Sequence, residues 1–93
     1  MEYEWDENKR QSNLEKHGLD FVIAYNIYES ADKLSIPSNN SNEFRWIDIA
    51  PVGKELVVLT LVYTYREEIV RIISLRKASK KERRFYNEKR KNC

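Results

Sequence analysis

The run Leu56-Val57-Val58-Leu59-Thr60-Leu61-Val62-Tyr63 is apolar at both parities. A strand of that composition has no side to offer to water, so it belongs at the centre of a sheet covered on both faces. At 93 residues, one sheet with a few helices is the practical limit of what can be built around it. Its neighbours supply the rest of that sheet. Thr64 to Glu68 closes a hairpin and Ile69 to Leu75 returns. Upstream, Phe44-Arg45-Trp46-Ile47-Asp48-Ile49 is a further strand, joined through the turn residues Pro51-Val52-Gly53-Lys54. Lys33-Leu34-Ser35-Ile36 alternates and ends at Pro37, as an edge strand does. Short connections make these strands an antiparallel meander. The polar, Asn-rich segment Ser38 to Asn42 reads as a loop.

Helices bracket the strands. Tyr3-Glu4-Trp5 alternates as a short first strand, and Asp6 offers an N-cap oxygen with Glu7 in the first turn. The helix it starts runs to about Lys16 or His17, where Gly18 fits the left-handed C-terminal position. Its apolar content is poor, with Leu14 nearly alone. Asp20 caps a second helix, Phe21 to about Tyr28, in which Phe21, Ala24, Tyr25 and Tyr28 form the apolar stripe. At the other end, Ser79-Lys80-Lys81-Glu82 is a capping box. The expected fold is α+β: a small antiparallel sheet of four to five strands, two N-terminal helices and one basic C-terminal helix, in a single domain over residues 1–93.

Charge is segregated along the chain. From Arg76 to Cys93 there are nine Lys or Arg and two acids, a net +7, whereas the first 75 residues carry a net −5. A cationic C-terminal segment on an otherwise acidic chain points to a polyanionic or acidic partner. Other classes fall away. No apolar run approaches a membrane span, and the acidic N-terminus lacks the hydrophobic stretch of a signal peptide. The sole cysteine, Cys93, and the sole histidine, His17, exclude an intramolecular disulfide and make a zinc site untenable. A cytoplasmic protein without metal or cofactor is the simple expectation.

Several segments resemble the BrnT family of toxins from bacterial type II toxin–antitoxin modules, which are similar in fold to RelE-type ribonucleases. They are Tyr3-Glu4-Trp5-Asp6; Asn13 with Lys16-His17-Gly18 and Phe21; Arg45-Trp46-Ile47; and Arg71-Ile72-Ile73-Ser74 with Arg76, Ala78, Glu82-Arg83 and Tyr86. They follow one another in the family's order across nearly the whole chain. Leu75 stands where a small residue is usual, and Val52-Gly53 sits in a shifted, Pro-containing turn. The resemblance implies an RNA-cleaving toxin that stops translation. It also implies a BrnA-like antitoxin that neutralises the toxin and binds DNA for the complex.

Cleavage of RNA by its own 2′-hydroxyl needs a base, positive charge on the developing phosphorane and a proton for the leaving 5′-oxygen. This chain is rich in cations and poor in bases, so charge stabilisation is the contribution its residues best support. Arg71 and Arg76, five residues apart, fall on opposite faces of a regular strand. Arg71 is then a phosphate clamp or the partner of an acid such as Asp48. Arg76, at the strand end, and Arg66, at the hairpin tip, are further phosphate ligands, or solvated in the case of Arg66. Lys80 and Arg84 share one side of the last helix with Arg83 nearby, a basic stripe for RNA or a solvated face. His17 suits proton transfer near neutrality, against the alternative of a histidine bonded to the last helix carbonyls. Tyr86 stacks on a base or packs in the core. Set against the ribonuclease is a second reading: a non-catalytic module that holds nucleic acid or a partner through the basic helix.

Overall fold

The computed structural model describes residues 1–39 and 43–91; the centre of the expected Asn-rich loop, and Cys93, lie outside them. The elements are β1 (Tyr3–Glu4), α1 (Glu7–His17), a 3-10 turn (Phe21–Ile23), α2 (Tyr25–Tyr28), β2 (Leu34–Ser38), β3 (Arg45–Val52), β4 (Val57–Arg66), β5 (Ile69–Lys77) and α3 (Lys80–Lys91). The strands form one sheet in the order β1-β5-β4-β3-β2. The apolar run is therefore the middle strand, and β2 to β5 are the antiparallel meander. β1 differs: it lies parallel to β5, Tyr3 opposite Val70 and Glu4 opposite Arg71, so the sheet is mixed. The long excursion through α1 and three other strands lets the chain return beside β1 in the same direction.

Local signals placed the ends of α1. Asp6 accepts from the Asn8 and Lys9 amides, and Gly18 closes the helix at φ 69°. Asp20 accepts from the Val22 amide as expected, yet the second helix is divided into a 3-10 turn and one turn of α-helix. The tighter turn rotates the face that follows. Ile27 is buried in place of Tyr25, which is half exposed. The β4–β5 hairpin is tighter than expected. Its turn is Glu67-Glu68, both at positive φ (50° and 70°), and the strands run to Arg66 and from Ile69. This is the twist-matched two-residue turn, here without its usual Asn-Gly. β2 continues through Pro37, which an edge strand tolerates.

Each sheet face has its own cover. On one, Phe21, Ala24 and Ile27 pack on Ala50, Leu59, Leu61, Tyr63, Val70, Ile72 and Leu75. Asp48 is fully buried and is held by Lys33, Ser35 and the Tyr63 hydroxyl. Burial, and then the Asp48 carboxylate, push the Tyr63 hydroxyl well above the ordinary tyrosine range. On the other face, Tyr86 and Ala78 pack on Ile49, with Leu34, Ile36, Ile47 and Val58 around them. α3 lies mainly over the β2–β3 side and reaches β4 and β5 through Glu82, whereas around Val62, Ile73 and Ser74 the same face is half-buried and open.

α1 docks by a polar residue. Asn13, not Leu14, is its buried side chain. The Asn13 amide donates to the carbonyl oxygens of Leu75 (2.7 Å) and Leu19 (3.1 Å), and its Oδ1 accepts from the Leu75 amide (3.2 Å). One side-chain amide thus serves both backbone groups of a strand residue past the end of β1, where the β5 edge has no strand beside it.

Candidate nucleic-acid interface

A β-bulge sets the geometry of the open face. Val62 pairs with Ser74 but Tyr63 pairs with Ile72, so Ile73 is an extra residue in β5. Arg71 then stands opposite Thr64, and Arg76 opposite Thr60. Thr60 and Thr64 have the same parity on β4, and directly opposed residues project to the same side. Arg71 and Arg76 therefore share the open face. This corrects the opposite-face expectation, which assumed a regular strand. Leu75, which a regular strand would place on the Arg71 face, is turned into the core instead.

Beside the bulge lies a depression of about 340 Å³. α1 lines it with Lys9, Ser12, Asn13, Lys16 and His17, β5 with Ile73 and Ser74, and β3 with Arg45. None of these carries a carboxylate. His17 makes no hydrogen bond or ion pair among the described residues, so the alternative of a histidine tied to the helix carbonyls is not what is found. Arg45 reaches this place because Ile47 pairs with Val62, and the residue two before it shares that face. Its Nε is buried without a hydrogen-bond partner, and its nearest carboxylate, Glu43, is 3.7 Å away. An orphaned buried donor costs about 1–3 kcal/mol. Lys9, Lys16, His17 and Arg45 thus meet the hydroxyls of Ser12 and Ser74 around one depression, and the unbonded nitrogen is Arg45's own.

The other expected residues are arranged along the same strand. Arg71 pairs with Glu4 at 2.6 Å, not with Asp48, because β1 places that carboxylate beside it. Arg66, exposed at the hairpin end, lies 3.7 Å from the same carboxylate oxygen. At the other end, Arg76 makes two bonds to Glu82, 2.6 and 2.9 Å. Glu82 completes the capping box with Ser79 and accepts from Thr60. The Arg76 bonds chiefly, then the Ser79 amide and Thr60, hold the Glu82 carboxyl down at about 2 against the opposing effect of burial. Lys80, at the start of α3, is exposed with no partner among the described residues, as is Arg83. Arg84, one turn on from Lys80 and on the same side of α3 as expected, lines a groove beside β2 and β3. Tyr86 is buried and its hydroxyl donates to the Asp32 carbonyl oxygen, so it packs in the core and presents no ring to a base.

Lys9, Lys16, Arg45 and Ser74 escaped the sequence reading as site residues. Lys16, Arg45 and Ser74 stand in the family-like segments, and only the bulge and the side-chain reach of Arg45 bring them to His17.

The Glu82 cluster has a testable acid signature. A carboxyl held below its ordinary 4.5 stabilises the fold above that value, and the contribution is lost as pH falls toward 2. Glu82→Gln is expected to flatten the fall of Tm between roughly pH 5 and pH 2. A Tm–pH slope identical to that of the wild type would contradict the assignment.

The arrangement defines a small α+β protein with basic side chains gathered on one face of its sheet. Residues 5–82 match the family model described as the ribonuclease toxin BrnT of type II toxin–antitoxin systems. The match spans most of the chain, and the protein belongs to the BrnT family. A search of curated proteins returned no match. Among the described residues, no helix is long and apolar enough to cross a membrane, and no group of His, Cys, Asp and Glu side chains forms a metal site.

Proposed function

We propose that the protein is a cytoplasmic endoribonuclease that needs no metal, and that it arrests translation by cutting RNA at the face between α1 and β5. The observation that carries this is the depression at the bulge, where His17 and Arg45 meet with no carboxylate to neutralise them. His17 takes the proton of a 2′-hydroxyl. The 2′-oxygen bonds to phosphorus and the 5′-oxygen leaves, taking a proton from the Lys16 ammonium. The products are a 2′,3′-cyclic phosphate and a 5′-hydroxyl. Arg45 meets the developing phosphorane charge. Arg71, with Arg66 behind it, and Arg76 with Lys80 hold the flanking phosphates, and Arg83 extends the cationic track. Arg71 and Arg76 are each already paired, so their carboxylates fix their direction while leaving donors for RNA. A BrnA-like antitoxin neutralises the toxin and supplies the DNA contact of the complex.

Purified protein is expected to cut RNA in EDTA and leave 2′,3′-cyclic phosphate ends, with His17→Ala slower by about 10²-fold or more. Intact RNA, with or without ribosomes, would overturn the enzyme reading. The pairing of Arg71 and Arg76 is what favours the non-catalytic alternative. RNA binding by the wild type that a His17→Ala, Arg76→Ala protein matches, with no cleavage by either, would establish that alternative.

A further inference from the structure

The groove beside α3 continues the sheet face that holds the depression. It measures about 400 Å³ and is floored by Ile36, Ile47 and Ile49. Ile47 follows Arg45 by two residues on β3 and pairs with Val62, which in turn pairs with Ser74. Arg45 and Ser74 line the depression at the bulge. The groove therefore begins about 7 Å along β3 from Arg45 and about 10 Å across the sheet from Ser74, within the span of a single nucleotide. Phe85 lines it and is 38% exposed. The Lys89 ammonium lies over that ring, 5.5 Å from its centroid, so a π face is open to a ligand and not packed in the core. Lys81 stands one turn before Phe85 and Glu88 one turn after it, with Arg84 alongside. None of these three charges has a hydrogen-bond or ion-pair partner among the described residues. Glu82 lines the groove too, but Arg76, Thr60 and the Ser79 amide occupy its oxygens. Lys81 and Arg84 balance Glu82 and Glu88, so the rim is neutral in sum.

We propose that this groove is a nucleobase subsite for RNA held at the bulge, and that it selects guanine. This rests on the reading of the chain as a ribonuclease and names what that same site recognises. Three observations choose the occupant. The floor is aliphatic and an exposed aromatic ring lines the same space, which suits a flat ligand with apolar faces. The rim charges cancel, which suits a ligand that is itself neutral and carries donors and acceptors at its edge. The groove adjoins the depression along β3, so a nucleotide whose phosphate lies beside Arg45 brings its own base there. Guanine fits the order of the rim best. Its O6 and N7 accept from a cation, here Lys81 or Arg84. Its N1–H and N2–H lie side by side and donate to the two oxygens of one carboxylate, here Glu88. Adenine, cytosine and uracil each offer a carboxylate only one nitrogen that bears hydrogen. The family match ends at Glu82, so Arg84, Phe85 and Glu88 lie outside the matched segment.

The test uses labelled trinucleotides with deoxyuridine at both ends and no 2′-hydroxyl, so that they bind without being cut. The central base is guanine, adenine, cytosine or hypoxanthine, which keeps the N1–H, O6 and N7 of guanine and lacks its N2 amino group. Fluorescence anisotropy is expected to show guanine bound at least about tenfold tighter than the other three. Glu88→Gln is expected to bring guanine to the level of hypoxanthine, and Phe85→Ala to weaken all four by about tenfold. Both positions are exposed, and circular dichroism confirms the fold. Equal affinity for guanine and hypoxanthine would overturn the proposal, as would affinities that Phe85→Ala leaves unchanged. So would self-association of the free protein that Phe85→Ala abolishes in sedimentation, because the groove would then hold a second copy of the chain. Guanine-selective, Phe85-dependent binding by a wild type that cannot cut RNA would sink the nuclease reading alone. Cleavage by a wild type whose binding ignores both the central base and Phe85 would sink this inference alone.

Discussion

Arg45→Met is expected to lower RNA cleavage by about 10²-fold or more while leaving the fold as stable as before, or more stable by up to about 1 kcal/mol. The two halves of that result have one cause. The Arg45 Nε is buried beside the depression with nothing to bond to, and Glu43 reaches the other end of the guanidinium only at 3.7 Å. A donor kept in that condition is a cost to the folded state and an asset to a phosphate that enters. Methionine keeps the aliphatic stem that packs on the sheet and removes the fork. Urea titration and single-turnover cleavage of the same preparation give the two numbers. Retained cleavage would show that phosphate does not meet this residue. Lost cleavage with a parallel loss of stability would make Arg45 a structural residue instead.

Asn13→Leu is expected to have the opposite pattern, with a loss of roughly 3 kcal/mol of stability as its primary effect. Leucine would improve the apolar character of α1, so a reading by hydropathy alone predicts a gain. The bond pattern predicts the loss. The N–H and C=O of Leu75 both depend on the Asn13 amide, and the Leu19 carbonyl shares it. Leucine leaves these backbone groups buried and unpaired, at about 1–3 kcal/mol each when water cannot replace the partner. A small domain has about 5–15 kcal/mol in all. The urea midpoint should fall with an unchanged slope. A change below about 0.5 kcal/mol would mean that α1 is held by something else.

These two residues also mark where the sequence stops being legible. Local rules worked where one or two side chains act on their own backbone. Asp6 and Gly18 bound α1, and Ser79 with Glu82 starts α3, each by bonds a few residues long. The apolar run was legible as the central strand because both of its faces are apolar. What depended on distant partners was not. The bulge at Ile73 changes the parity of everything after it, so Arg71 and Arg76 come to one face although their spacing says otherwise. The Glu67-Glu68 turn has the wrong residues for its backbone and is imposed by the pairing of the strands it joins. Asn13 stood out only as part of a family segment, since nothing in α1 itself shows that a strand edge waits for its amide. The site followed the same division. His17, singled out by its chemistry, lines the depression. Arg45, 28 positions away in sequence, was legible only as part of a family segment, and its place in the depression depends on reach across β4.

The most direct measurement is an NMR titration with a dinucleotide whose 2′-hydroxyl is replaced by hydrogen, so that it binds without being cut. Bound phosphate at the bulge should shift the backbone amides of Ile73 and Ser74, the His17 ring and the Arg45 guanidinium, with smaller shifts at Arg71 and Arg76. Shifts confined to α3, at Lys80 and Arg83, with the bulge and His17 unmoved, would contradict it.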